Sequence, residues 1–322
     1  MKKQIKDIPY LEILKKSWKI TWSHKYLWWL GLFISLGSLG TSFNYSSGDN
    51  EIITEAGQKF IQFINTHYAI FLTLVLLVSL LFIGLALLSL LARGGLIRSV
   101  KNILEGKNVS LKESWKFGRE NFLKIFSITL VIGLFMFLAL LILIVPIALL
   151  FFNHSYWIGG ILTFLAILIV IPLFILAFFI RTFGYLYAIL GRLSIWSSIE
   201  NAYFIFSKNI GPSFIMGLIF LPVNILVGLG LLIMLIPLAI VFIILGGLLY
   251  LVLQKTGIII AASIGVLVFL IIILIVKSAY AVFNQTAWLL FFQEIASPKK
   301  EEPIIEKVLE IEPKPIPEPE VG

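Results

Sequence analysis

Three histidines are the side chains in this 322-residue chain that could act as general bases or bind a metal near neutral pH. No positioned partner for His24 is visible in the sequence, so we expect it to anchor the chain at a polar boundary. His67 and His154 could share a metal with Asp49 or Glu51, but none of these residues has the short spacing of a metal-binding motif. We therefore expect no metal site and no catalytic histidine.

The other common sources of catalysis also lack a sequence signature. The chain contains no cysteine, which excludes a thiol nucleophile and a cysteine-ligated metal. It contains no His-Glu-x-x-His, Gly-x-Ser-x-Gly or Gly-x-x-x-x-Gly-Lys pattern. The apolar segments carry no paired carboxylates and no nucleophile with a nearby base. We expect neither an enzyme nor a cofactor.

Asn224 is the clearest polar residue within a long apolar run, two residues after Pro222 and ahead of Gly228 and Gly230. An unsatisfied amide in hydrocarbon is costly, so such a residue needs a partner or a function. In one interpretation the helix breaks here and exposes Asn224 to a substrate or ion, as in transporters. In the other, which we favour, Asn224 forms a hydrogen bond to a neighbouring helix.

The composition determines the environment in which these residues lie. Hydrophobic residues make up 60% of the chain, charged residues 13%, and the mean hydropathy is +1.03. Soluble domains have about 45–50% apolar and about 25% charged residues. The net charge of +8 could suggest nucleic acid as a partner, but the cations stand beside apolar runs, where they set membrane topology. We expect membrane lipids, and no nucleic acid, as partners.

The apolar runs predict an all-α polytopic bundle of six spans, at residues 26–45, 68–92, 125–152, 156–180, 213–253 and 258–276. The run 213–253 is too long for one untilted crossing and short for two. We interpret it as one span kinked near Pro222 and Pro237, followed by an exterior segment over 246–257. The alternative is a tight hairpin that crosses twice.

Lysines and arginines concentrate in alternate connections, with Lys59 and Lys255 as the exceptions. The positive-inside rule then places both termini in the cytoplasm. Residues 1–296 form the transmembrane domain in this interpretation. Residues 297–322, rich in Lys, Glu and Pro, are predicted to be a disordered cytoplasmic tail.

Amphipathic helices are predicted where the basic connections meet the spans. Ser110 and Glu113 have the spacing of a capping box, so a helix should begin there and place Trp115 on its apolar face. Such helices favour the anionic lipids of the inner leaflet. The predicted membrane-interface residues are Trp18, Trp22, Trp28, Trp29, Trp115, Tyr203, Trp288, Arg93, Arg181 and Lys277.

The pattern of amphipathic helix followed by two spans recurs, which predicts a threefold internal repeat. A shift of 97 residues places Leu14 and Trp18 over Leu111 and Trp115, and a further shift of 88 places Trp115 over Tyr203. Arg93, Arg181 and Lys277 would each close the second span of a unit.

Two stretches, the aromatic-basic segment 17–33 and the Ala-Arg-Gly-Gly-Leu-Ile segment 92–97, resemble a broad group of bacterial polytopic membrane proteins. This group is similar to the membrane domain associated with glycerophosphodiester phosphodiesterases. The resemblance covers roughly residues 8–296 and implies a six-span bundle in the bacterial cytoplasmic membrane. No catalytic residue carries over, because the phosphodiesterase domain has no counterpart in this sequence.

These observations favour a structural, lipid-interacting or membrane-assembly role. The alternative is a transporter or channel with a broken fifth span around Asn224.

Overall fold

The computed structural model describes residues 8–37, 57 and 61–296, and all regular secondary structure in them is helical. Hydrocarbon offers the backbone no hydrogen-bond partner, so apolar runs of this length satisfy their own N–H and C=O groups as helices. Residues 61–66 form a short helical stretch. The longer described α-helices are α1 (Tyr10–Ser23), α2 (Trp28–Gly37), α3 (Tyr68–Leu104), α4 (Leu111–Phe152), α5 (Tyr156–Leu190), α6 (Ile195–Lys208), α7 (Ile210–Leu253) and α8 (Lys255–Ala296).

Five of the described helices, α3, α4, α5, α7 and α8, are long and apolar enough to cross a membrane. They contain 35 to 44 residues, whereas about 20 residues cross the hydrocarbon. At 1.5 Å per residue the 42 residues of α4 extend about 63 Å, so the helix also continues well beyond the hydrocarbon. These helices fit a multi-pass membrane protein.

The predicted first span, 26–45, is described only in part. A 3₁₀ turn at Lys25–Leu27 leads into α2, which contains 10 residues. The remainder of that span lies outside the described residues, and so does the predicted disordered tail at 297–322. The count of six spans therefore stays a prediction.

The helices continue past the cations that were expected to close the spans. Arg93, Arg181 and Lys277 all lie inside helices, which run on to Leu104, Leu190 and Ala296 respectively. A cation ends an apolar run without ending helical structure, because lysine and arginine are themselves good helix formers. These three residues therefore do not end an element.

The ambiguous run 213–253 belongs to one continuous helix, α7, which contains both Pro222 and Pro237. The expected exterior segment over 246–257 is wrong, because the connection to α8 turns at Gln254, whose φ is 48°. The glycine, leucine, tyrosine and valine residues at 246–253 remain helical, since in an apolar environment the helix satisfies their backbone groups.

The segments predicted as interfacial helices pack antiparallel to the ends of the long helices. In α1, Tyr10 stacks near Phe291 and Trp18 lies edge-on to Phe283, with ring centroids 6.2 Å apart in both pairs. The start of α4 pairs in the same way with the end of α3, and α6 pairs with the end of α5. An interfacial helix at 111–124 that lies separate from the span is therefore wrong, since α4 is unbroken through Phe152.

We call these paired segments the basic layer: α1, α6, residues 93–104, 111–124, 181–190 and 277–296. Most fully buried side chains lie in this layer or just above it, including Leu27, Leu96, Ile125, Phe183 and Phe291. By contrast, the most apolar windows of the five long helices have at most 11% of their residues buried inside the protein. The packed core thus coincides with the charged end of the molecule, while the apolar ends are left to contact lipid.

Candidate functional site: the basic layer

One face of α1 is buried in the bundle and the opposite face is aromatic and basic. Ile13, Ser17, Ile20 and Thr21 are buried. Trp18 and Trp22 remain 58% and 44% exposed, with ring centroids 5.4 Å apart. Exposed Lys15, Lys16 and Lys19 surround this pair. A surface of indole rings and ammonium groups suits the boundary between hydrocarbon and anionic headgroups.

The amphipathic helix α6 has the same two-sided character. Ser194 caps its N-terminus by accepting a hydrogen bond from the Ser197 N–H. On the outer face Trp196 and Tyr203 are 72% and 54% exposed. Lys208 Nζ lies 3.9 Å from the centroid of the Phe204 ring, a cation–π contact. The prediction that Tyr203 faces the membrane interface fits this exposure.

The third such segment, at the start of α4, differs from the other two. The capping box is confirmed: Ser110 Oγ accepts from the Glu113 N–H at 3.3 Å, and the Ser110 N–H donates to the Glu113 carboxylate at 2.7 Å. Trp115, however, is half-buried and meets Phe33 of α2 edge-on at 5.1 Å. Because α4 packs against α3, this side chain contacts α2 and stays partly exposed, so the assignment of Trp115 to the membrane interface stays a prediction.

The capping box also determines the electrostatics of this helix end. The Ser110 backbone N–H, followed by the Ser110 hydroxyl and by nearby Lys116, holds the pKa of the Glu113 carboxyl below its ordinary value. Glu113 lies before residue 125, where the apolar span of α4 begins. The charged carboxylate therefore stabilises the first turn at neutral pH.

Buried serines form the contacts of the three paired segments, and sequence reasoning missed them. Ser17, Ser114 and Ser198 are all fully buried. Each donates its hydroxyl to the carbonyl four residues earlier, at 2.8, 3.0 and 2.7 Å respectively. A small or short residue follows each serine at the next turn: Thr21, Gly118 and Ala202. The available signal was this serine-x-x-x-small spacing, which brings helix backbones close together.

The remaining predicted interface tryptophans have different environments. Trp28 is half-buried and donates its indole N–H to the Thr21 carbonyl at 2.9 Å, whereas Trp29 is 58% exposed. Trp288 is only 4% exposed, so its assignment to the membrane interface is wrong. Its ring packs against aromatic residues of α5, of α7 and of α8 itself: Phe178, Phe179, Phe183, Phe220 and Phe291. The continuation of α8 past Lys277 turns this face into the core.

The three cations that were predicted to close spans lie at separate positions around the basic layer and do not form one cluster. Arg93 and Lys277 are half-buried, and Arg181 is exposed. Every described lysine and arginine except Lys255 lies on this side of the molecule, including the connections between paired helices. Lys255 follows the turn between α7 and α8 at the opposite end. The charge asymmetry expected from the sequence is therefore present in three dimensions.

Asn224 lies within continuous helix, so a broken fifth span is wrong and the transporter alternative loses the feature on which it rested. The amide Nδ2 donates to the Phe220 carbonyl of the same helix at 2.8 Å. Asn224 also lies near the Tyr280 hydroxyl of α8, and that hydroxyl accepts from Asn284 Nδ2 at 3.2 Å. The hydrogen bond from Asn224 to a neighbouring helix therefore stays a prediction.

The histidines do not assemble a metal centre in the described part of the chain. His154 Nδ1 lies 2.8 Å from the Tyr156 hydroxyl, and His67 contacts the Phe63 ring. Within residues 8–37, 57 and 61–296, no three His, Asp or Glu side chains come together in a group that could hold a metal. Asp49 and Glu51 lie outside the described residues.

Comparison with known proteins gives no relative: no family model, curated protein or solved structure matches the chain. The interpretation of function therefore depends on the basic layer itself.

Proposed function

We propose that this chain is a non-enzymatic integral protein of the bacterial cytoplasmic membrane, whose basic layer lies at the inner leaflet and binds anionic lipid. Both termini are cytoplasmic in this proposal, following the positive-inside rule. The role is structural or one of membrane assembly, in line with the resemblance to the membrane domain associated with glycerophosphodiester phosphodiesterases. Support comes from the position of the described cations, which lie at one end of the long helices apart from Lys255.

The observation that carries the proposal is the outer face of α1. A surface helix of a soluble protein would turn Trp18 and Trp22 inward and leave only polar residues outside. Here the small residues Ser17 and Thr21 are buried and the two tryptophans are exposed beside lysines. Exposed indoles are favourable at a headgroup boundary, where the ring is partly in hydrocarbon and the N–H meets polar groups.

We also propose that the bundle contains six spans built from three repeated units, each an amphipathic segment followed by two spans. The order of packing supports this idea. The amphipathic segment of each unit packs on the returning span of the unit before it: the start of α4 on α3, α6 on α5, and α1 on α8, which closes a cycle. Ser17 and Ser114 are 97 residues apart and Ser114 and Ser198 are 84 apart, so the buried serines favour 84, and not 88, for the second shift.

Reconstitution in nanodiscs that contain equal parts of phosphatidylglycerol and phosphatidylethanolamine tests the lipid role. We expect phosphatidylglycerol to be enriched in the lipid shell that stays bound in native mass spectrometry. Changing Lys15, Lys16 and Lys19 together to Gln should return the shell towards the bulk ratio, since each cation near the surface attracts anionic lipid. Lys255→Gln is the control at the other end. An unchanged shell in the triple variant would disprove the proposal.

A further inference from the structure

An apolar cleft of about 460 Å³ lies between α1, α7 and α8, just above the basic layer. Val223, Val227 and Met234 of α7 form one wall, and Ile275 and Ala279 of α8 form the other. The rings of Trp18, Trp22 and Trp28 close the lower end. α7 makes few other contacts with the bundle, so the cleft is open to the side, where the bilayer would be.

The length and depth of the cleft match one leaflet. The wall residues of α7 run from Val223 to Met234, which is about 16 Å at 1.5 Å per residue. Half of a hydrocarbon core about 30 Å thick is about 15 Å. The cleft begins at the level of the exposed tryptophans of α1 and ends near the middle of the membrane. An extended chain that entered from the inner leaflet would fill it.

The polar groups on the cleft wall are already satisfied within the protein. Thr21 Oγ1 donates to the Ser17 carbonyl at 2.8 Å, and the Trp28 indole N–H donates to the Thr21 carbonyl at 2.9 Å. The Tyr280 hydroxyl accepts from Asn284. Above the tryptophans a polar solute would therefore find few partners, whereas an apolar chain loses nothing by entering.

No charged residue lines the cleft, and two lysines lie near its lower end. Lys25 Nζ lies 6.0 Å from the centroid of the Trp22 ring, and Lys19 stands three residues before Trp22 on the same face of α1. Both lysines are exposed. The indole N–H groups of Trp18 and Trp22 have no acceptor among the described residues, so they are available to ester or phosphate oxygens at this depth.

We propose that the cleft binds one anionic glycerophospholipid of the inner leaflet, with an acyl chain between α7 and α8 and the phosphate against Lys19 and Lys25. This inference rests on the proposed function and adds a defined site to it. The tryptophan rings lie between the acyl chain and the phosphate of the bound lipid. The lipid joins α7, which contacts the bundle mainly through α8, to α1.

Photo-crosslinking tests the site on the full chain reconstituted in lipid. The probe is phosphatidylglycerol with a diazirine in the middle of one acyl chain, and the crosslinked peptides are mapped by mass spectrometry. We expect crosslinks on the cleft faces of α7 and α8. Gly230→Phe should reduce them about tenfold, because the ring occupies the volume of several methylenes. A Cβ at Gly230 would meet no other atom within 4 Å, so the substitution is accommodated.

Gly228→Phe is the matched control, because Gly228 lies two residues before Gly230 on the other side of α7, is equally open, and does not line the cleft. Its crosslinks should equal those of the unmodified chain. A second variant, Lys19→Gln with Lys25→Gln, changes only exposed side chains and should lower labelling by phosphatidylglycerol to the level given by a phosphatidylethanolamine probe with the same chain. Equal labelling of Gly230→Phe and Gly228→Phe, or equal labelling by both headgroups, would overturn the inference.

These experiments distinguish a failure of the cleft inference from a failure of the proposed function. If Gly230→Phe keeps the cleft crosslinks while the Lys15, Lys16 and Lys19 variant loses its anionic shell, the cleft inference is wrong and the proposed function stands. If the cleft crosslinks behave as expected while that triple variant keeps its shell, the general lipid role of the basic layer is wrong.

Discussion

At the scale of single residues, the environment of an aromatic side chain depends on which helix face it occupies and not on its residue type. Trp196 and Trp288 are the same residue type on different helices: α6 is amphipathic, whereas α8 is apolar over most of its length. Trp196 is exposed, whereas Trp288 is 4% exposed among phenylalanines. Trp18 and Trp22, which were predicted as interface residues, lie on the exposed face of α1. The sequence could not identify the inner face of α8, because that helix is apolar or aromatic on nearly all sides.

Trp288→Ala should destabilise the protein strongly, because it leaves a cavity among the aromatic residues packed around the ring. Replacement of a buried Trp by Ala costs about 3–5 kcal/mol. Thermal unfolding in detergent should show a clear fall in the midpoint. Trp196→Ala, on the exposed face of α6, is the control and should leave the midpoint nearly unchanged. Equal effects of the two substitutions would contradict the packing described for α8.

The capping box at the start of α4 should respond to pH. The pKa of Glu113 is lowered in the folded chain by hydrogen bonds from Ser110, so its stabilising effect is fully present above the ordinary value of about 4.3 and is lost as pH falls through the lowered pKa. Amide hydrogen exchange, corrected for its intrinsic pH dependence, should show the first turn of α4 protected at pH 7 and less protected near pH 3. Glu113→Gln should remove this dependence. Protection that is unchanged at pH 3 would contradict the account.

At the scale of elements, the helices themselves were predictable and their pairing was not. The capping box located the start of α4, and the uncharged runs located the starts of α3 and α5 to the residue. The continuation of α3, α5 and α8 past their cations was missed, because a fall in hydropathy was taken for an end of helix. The pairing of these continuations with α1, α4 and α6 depends on small residues whose partners are distant in sequence.

Gly95→Leu should disrupt the contact between α3 and α4. A Cβ at Gly95 would collide with the Ser114 carbonyl oxygen, and backbone cannot move aside without separating the helices. Overpacking of this kind costs typically about 1–3 kcal/mol and more where backbone is in the way. Gly84→Leu, in the same helix, is the control, since a Cβ there meets nothing within 4 Å. We expect a lowered melting midpoint and poor recovery of monodisperse protein for Gly95→Leu alone, and comparable behaviour of both would contradict the close approach.

At the scale of the whole molecule, the distribution of burial is unusual for a helical bundle. The tightly packed part lies in the basic layer, and the apolar ends of α4, α5 and α7 are largely exposed until lipid covers them. Stability should therefore come chiefly from the layer, and contact with hydrocarbon from the long helical hairpins. This arrangement suits a protein that holds lipid at one face of the membrane. It was not predictable from composition, which distinguishes membrane from soluble proteins but does not place the core.

The central claim is that the basic layer faces the cytoplasm, and a pair of single cysteines in this cysteine-free chain tests it most directly. Lys107 lies in the connection between α3 and α4, at the end of the molecule that carries the basic layer, and Lys255 lies at the opposite end; both side chains are exposed. In right-side-out membrane vesicles an impermeant maleimide should label Lys255→Cys at once and Lys107→Cys only after the vesicles are opened. Labelling of Lys107→Cys in sealed vesicles, with Lys255→Cys protected, would contradict the account.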